Sequence, residues 1–196
     1  MARWSQDVPR PASLEAAEAA ESPEAPTNVI AESVPIVDAT APQLPASVAD
    51  PERVVVPALG IDMPVESVGV AADGQMQIPD DALAAGWYRF GSAPGQAGSA
   101  VIAAHAGSTI TPRGPFYDLR WAEPGMSVDV ELADGSSAAF EIVSVELLTK
   151  ADLDLGPYFD RDGESRLVLI TCGGQWDDAA KSYLSNVIVT ARLADG

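Results

Sequence analysis

"RLVLITCGG", residues Arg166–Gly174, holds the most hydrophobic run of the chain and stops at a cysteine followed by two glycines. Leu167-Val168-Leu169-Ile170 is short, aliphatic and β-branched, which reads as a buried β-strand ending at Cys172. Cys172 is the only cysteine, so no internal disulfide is available to it. His105 is the only histidine, and one Cys with one His cannot fill a structural zinc site; no metal and no cofactor is expected. Inert packing, an intermolecular bridge and a nucleophile remain open for the thiol.

His105 occupies a matching place. It ends the apolar run "SAVIAAH" and is followed by Gly107, as Cys172 ends "LVLITC" and is followed by Gly173 and Gly174. A residue at a strand end leaves the core for the rim, and a nearby glycine lets another backbone approach closely. Thiol and imidazole are the minimal nucleophile–base pair: the thiolate attacks, and the imidazole gives the leaving group its proton. The order, histidine before cysteine, is opposite to the papain arrangement.

Around these two runs the chain reads as all-β. "RVVVPALG" and "IDMPVESVGV" are two strands broken at Pro57–Gly60, and "ADGQMQIPDDALAAGWYRF" is a turn, a short helical or turn segment, and a strand with Trp87 and Phe90. "GPFYDLRWAEPG" is a short helix or turn. The alternating Met126, Val128, Val130 and Leu132, an Asp134-Gly135 turn, and Phe140, Ile142, Val143 and Val145 make a hairpin. "ADLDLGPYFD" is a loop with one helical turn, and "GGQWDDAAKSYL" a loop leading into the last strand, "SNVIVTARL". About eight short strands with frequent turn signals indicate a β-sandwich or a closed barrel.

Residues 1–51 differ in texture. "PASLEAAEAAESPEAP" and "ATAPQLPASVADPE" are rich in Ala, Pro, Glu and Ser and cannot bury enough apolar surface to offset ordering entropy, so a disordered acidic linker is expected before a domain at 52–196. The net charge of −18, from 29 acids against 11 bases, argues against nucleic acid and anionic lipid as partners. Neither a signal peptide nor an apolar run of membrane-spanning length is visible.

Residues from about 52 to 193 resemble the sortases, the cysteine transpeptidases of Gram-positive cell surfaces, most closely the actinobacterial class F. The resemblance is carried by "GSAPGQAGSAVIAAHAG", "GPFYDLRWAEPGMSVDVEL", "LVLITCGG" and "YLSNVIVTA", with the family's TLxTC-like pattern at Leu169-Ile170-Thr171-Cys172. The separation of His105 from Cys172, 172 − 105 = 67, suits that family. The resemblance implies an eight-stranded sortase-type β-barrel with short helices or 3-10 turns, His105 at the end of the fourth strand and Cys172 at the end of the seventh. It implies that Cys172 attacks the Thr–Gly carbonyl of an LPxTG-type sorting signal and that His105 protonates the leaving amine. An amino nucleophile of the cell wall or a pilin then resolves the acyl-enzyme. It places the protein at the extracellular face of the membrane, though the anchor is not present in this sequence.

One position departs from the pattern. Sortases carry an arginine at the start of the last strand, and in class F it follows a tyrosine in "Y-R-D-N". Here the stretch is Tyr183-Leu184-Ser185-Asn186, so Leu184 holds the arginine's place. Arg192 lies eight residues along, about 26 Å of strand away. Lys181 in the preceding loop, Asn186 on the face of residue 184, and backbone N–H groups around Cys172 and Gly173 are the candidate oxyanion donors. Two readings follow: an active, slow transpeptidase, or a sortase-fold module that binds a peptide without turning it over. A third, the L,D-transpeptidases, fits poorly, because their "S-H-G-C" is here Ile170-Thr171-Cys172-Gly173. In the linker, Leu44-Pro45-Ala46-Ser47 resembles the start of a sorting signal, and a tethered copy would compete at millimolar effective concentration as a self-inhibiting lid.

Overall fold

The computed structural model describes residues 48–194. Residues 1–47 of the expected linker, with its Leu44–Ser47 lid, lie outside the described residues, whereas Val48 and Ala49 pack against the barrel's interior cluster and Pro51 already belongs to the first strand. Eight strands follow in order: β1 (Pro51–Val56), β2 (Ile61–Val68), β3 (Ala85–Tyr88), β4 (Ser99–Ala103), β5 (Ser127–Leu132), β6 (Ser137–Thr149), β7 (Arg166–Asp177) and β8 (Ser182–Leu193). They close into a barrel in the order β1-β2-β3-β4-β7-β8-β6-β5, which decides between sandwich and barrel. Pairing is antiparallel except between β2 and β3 and between β4 and β7. The other regular elements are 3-10 turns, the longest at Pro115–Trp121.

Alternation builds the interior. In β1 and β2, Val54, Val56, Ile61 and Met63 point inward, while Arg53 and Asp62 face water and pair at 2.6 Å. Phe116 and Leu119, from the Pro115–Trp121 turn, are fully buried in the interior cluster beside Phe140, Ile142, Leu167 and Leu169. Each such side chain contributes about 1.5–3 kcal/mol by leaving water.

A second cluster explains the runs without alternation. Val101, Ala103, Val168, Ile170 and Ile188 point outward from β4, β7 and β8, yet are buried beneath Met76, Ile78, Tyr88, Leu155, Tyr158 and Phe159. These central strands are covered on both faces, which is why β4 is buried at all five positions and "LVLI" is apolar throughout.

Three sequence expectations need correcting. β7 does not end at Cys172 but runs to Asp177, and β8 begins at Ser182, so most of the expected "GGQWDDAAKSYL" loop is the end of a hairpin. The strand continues because Gly174, at φ 77, supports a bulge: Gly173 pairs with Ser185, and the next pair is Trp176 with Tyr183. Phe90, placed in a strand from sequence, lies two residues beyond β3.

Candidate active site

The parallel pairing of β4 with β7 sets the site's geometry. Ser99 lies opposite Arg166, and the register runs on to Ala103 opposite Ile170, each pair 67 residues apart. His105 and Cys172 share that separation, so their spacing in sequence is the register of these two strands. The contact continues past the end of β4: the Ala104 N–H donates to the Ile170 carbonyl at 3.1 Å, and Thr171 Oγ1 donates to the Ala104 carbonyl at 2.8 Å. Across the hairpin, Cys172 is paired with Asn186. Cys172 shares the outward face of Val168 and Ile170, His105 that of Val101 and Ala103, and Asn186 that of Ile188. The thiol is free, and both Cys172 and His105 are half-buried.

The segment after His105 is a closed loop. Ser108 N–H donates to the Thr111 carbonyl at 2.6 Å, Thr111 Oγ1 donates to Asp81 Oδ1 at 2.7 Å, and Gly114 N–H returns to the Ala106 carbonyl at 2.9 Å. Gly107 is required by close approach, because a Cβ there would collide with the carbonyl of Pro112.

Two cavities meet at Cys172. One, of about 470 Å³, runs along the outer face between Met76, Ile78, Tyr88 and Phe159, with Cys172 and Asn186 on its wall. The other, of about 650 Å³, is lined by His105, Cys172, Lys150, Trp176 and Lys181. Cys172 is common to both; His105 belongs to the second and is absent from the lining of the first.

The remaining candidates fall into place around this junction. Asn186 is opposite the cysteine. Lys181, at φ 50 in the turn, lines the second cavity and lies 3.6 Å from Asp178, with both side chains largely exposed. Leu184 is 43% exposed and lines neither cavity. Arg192 pairs with Arg166 in the ladder, at the far end of the hairpin from Cys172, and contacts Glu141 at 3.3 Å. Sequence reasoning missed the groove-lining Met76, Ile78, Tyr88 and Phe159; the signal available was the continuous apolar character of β4 and β7, which requires a cover on the outer face.

The sortase domain model matches residues 54–194. Solved structures share the fold: sortase C1 of Streptococcus agalactiae in complex with MTSET (19% identity, covering 74% of this chain and 67% of that one, TM-score 0.56), and a lid mutant of sortase A from Corynebacterium diphtheriae (16%, 76% and 71%, 0.56). Sortase C-1 of Actinomyces oris is similar to the same degree (17%, 74% and 73%, 0.56). No curated protein matches the chain. A barrel of this order, with a model match spanning every strand from β2 to β8, leaves one conclusion: the chain belongs to the sortase family.

Proposed function

We propose that this protein is a class F-like cysteine transpeptidase that cleaves an LPxTG-type sorting signal between Thr and Gly and transfers the acyl part to an amine. Its catalytic domain acts at the outer face of the cell membrane, and the acidic stretch that precedes the barrel is a linker. The observation that carries the reading is the register that sets His105 and Cys172 on one outward face, with Cys172 shared by an apolar groove and a second cavity that His105 lines. A peptide bound across the cysteine has its acyl side in the apolar groove and its leaving side next to the imidazole. The groove's Met, Ile, Tyr and Phe walls suit a Leu-Pro pair.

The chemistry balances with these residues alone. The Cys172 thiolate adds to the threonine carbonyl carbon, and the oxyanion takes hydrogen bonds from Asn186 and backbone N–H groups. The C–N bond breaks as imidazolium gives its proton to the glycine nitrogen, leaving a thioester and neutral His105. An incoming amine attacks the thioester, His105 takes its proton, and the thiolate departs.

Leu184 favours a second reading, a peptide-binding module without turnover, because it supplies no charge where the family has arginine. Mass spectrometry of the protein mixed with an LPxTG peptide separates them. An acyl adduct on Cys172 supports the transpeptidase, while peptide binding without an adduct supports the module.

A further inference from the structure

The apolar groove contains one cationic side chain, Arg161, and among the described residues its guanidinium has no hydrogen-bond or ion-pair partner. The side chain is exposed, so its guanidinium is open to a ligand that enters the groove. The backbone around it is fixed. Ser99 N–H donates to the Asp160 carbonyl at 2.7 Å and Gly98 N–H to the Gly163 carbonyl at 3.3 Å, so the 160–163 turn is tied to the start of β4. A Cβ on Gly98 would collide with the Arg161 backbone, so the two chains touch there.

This anchoring gives Arg161 a position relative to the thiol. The β4 register places Gly98 seven residues before the row of His105 and Cys172, about 23 Å of strand. A guanidinium reaching back along the groove shortens that to about 15 Å. Arg161 is therefore too far from Cys172 to serve the oxyanion. An extended peptide covers the same span in about four to five residues.

We infer that Arg161 is a specificity-determining residue that pairs with a carboxylate on the substrate, on the residue immediately before the Leu-Pro pair. This rests on the transpeptidase reading above for the direction of the peptide. With the cleaved threonine at Cys172, the leucine lies three residues upstream, and the residue preceding it reaches the Arg161 end of the groove. Arginine suits the task, because its planar fork binds a carboxylate in bidentate fashion and stays charged at every working pH. The groove's single cation then distinguishes sorting signals that differ outside the Leu-Pro-x-Thr core.

The test uses the full chain carrying Cys172→Ala, so that binding is read without turnover. Fluorescent Leu-Pro-x-Thr-Gly peptides carrying Glu, Gln or Lys before the leucine are titrated by polarisation at low ionic strength. The Glu peptide is expected to bind roughly threefold to fivefold more tightly than the Gln peptide, the size of a partly exposed ion pair, with the difference shrinking in salt. Adding Arg161→Lys should keep the preference, Arg161→Gln should remove it, and Arg161→Glu should turn it toward the Lys peptide. Equal affinities for Glu and Gln peptides, or a preference that survives Arg161→Gln, overturn the assignment while leaving the sorting-signal reading intact. A protein that binds none of the three overturns both.

Discussion

Replacing Thr171 with valine tests whether the two catalytic candidates are held together through the Thr171–Ala104 hydrogen bond. Thr171 is 3% exposed, and its hydroxyl donates to the Ala104 carbonyl at 2.8 Å, one residue before His105 on one strand and one before Cys172 on the other. Valine keeps the shape and β-branching but presents a methyl group to a buried carbonyl. An acceptor left without its partner costs about 1–3 kcal/mol. For a domain of this size that is a fall of roughly 3–10 °C in melting temperature. The segment leading to His105 also loses a tether to β7, and a displacement of about 1 Å at a reacting group costs up to about 10²-fold in rate. Circular-dichroism melting and initial rates with a fluorogenic LPxTG peptide give both numbers. Thr171→Ser, which keeps the donor, should stay near wild type in rate. A Thr171→Val protein that melts within 1 °C of wild type and reacts at the same rate would refute the tether. Equal losses in the valine and serine variants would detach the effect from the hydrogen bond, because serine keeps the donor.

Seven further variants have expected outcomes. Cys172→Ala should give no acyl adduct by mass spectrometry, and His105→Ala should lower kcat/KM by about 10²–10⁴, the worth of a positioned general acid–base. Leu184→Arg should raise kcat/KM at least tenfold, about 1.4 kcal/mol, if the missing charge limits the rate; Asn186→Ala should lower it by about 10²–10³, and Lys181→Ala less, since Lys181 is exposed and already beside Asp178. Gly107→Ala should slow acylation far more than it lowers the melting temperature, because the added methyl collides with the Pro112 carbonyl in the loop that follows His105; a melting change without a rate change would show that this loop does not position the imidazole. Burial, aided by a hydrogen bond to the Glu146 carboxylate at 2.9 Å, holds the Tyr158 hydroxyl above its ordinary pKa. Its contribution is thus complete below about pH 10 and lost as pH rises further, so the alkaline fall in melting temperature should be shallower in Tyr158→Phe.

Much of this architecture was legible in sequence because two signals coincide in it. The apolar runs ending at His105 and Cys172 identified the two strands that carry the candidate site, and the 67-residue spacing equals the register of their parallel pairing. The hairpin Ser127–Thr149 followed from alternation and Asp134-Gly135. The extent of β7 was not legible: Gly173-Gly174 carries the same signal whether a strand stops there or bulges and continues, and only the pairing with β8 decides. The pairing of Cys172 with Asn186 depends on that bulge, so a count along β8 could place Asn186 on the right face without placing it opposite the thiol. Arg161 was invisible for another reason. It reaches the groove through a turn tied to the start of β4 by backbone hydrogen bonds, which side-chain patterns do not encode.

The overhang of β7 has a bearing on how the protein behaves at high concentration. Beyond Ile170 the strand runs seven more residues, to Asp177, and among the described residues β8 is its only strand partner there. Its other side is a sheet edge inside an otherwise closed barrel, and such an edge invites pairing with a second molecule. The bulge at Gly174 twists it out of register with any straight strand, and Asp177 and Asp178 at its tip repel another copy of so acidic a chain. The irregularity that follows the cysteine thus doubles as a guard against edge-to-edge polymerisation. The barrel can leave this stretch unpaired without offering it as a template for fibres.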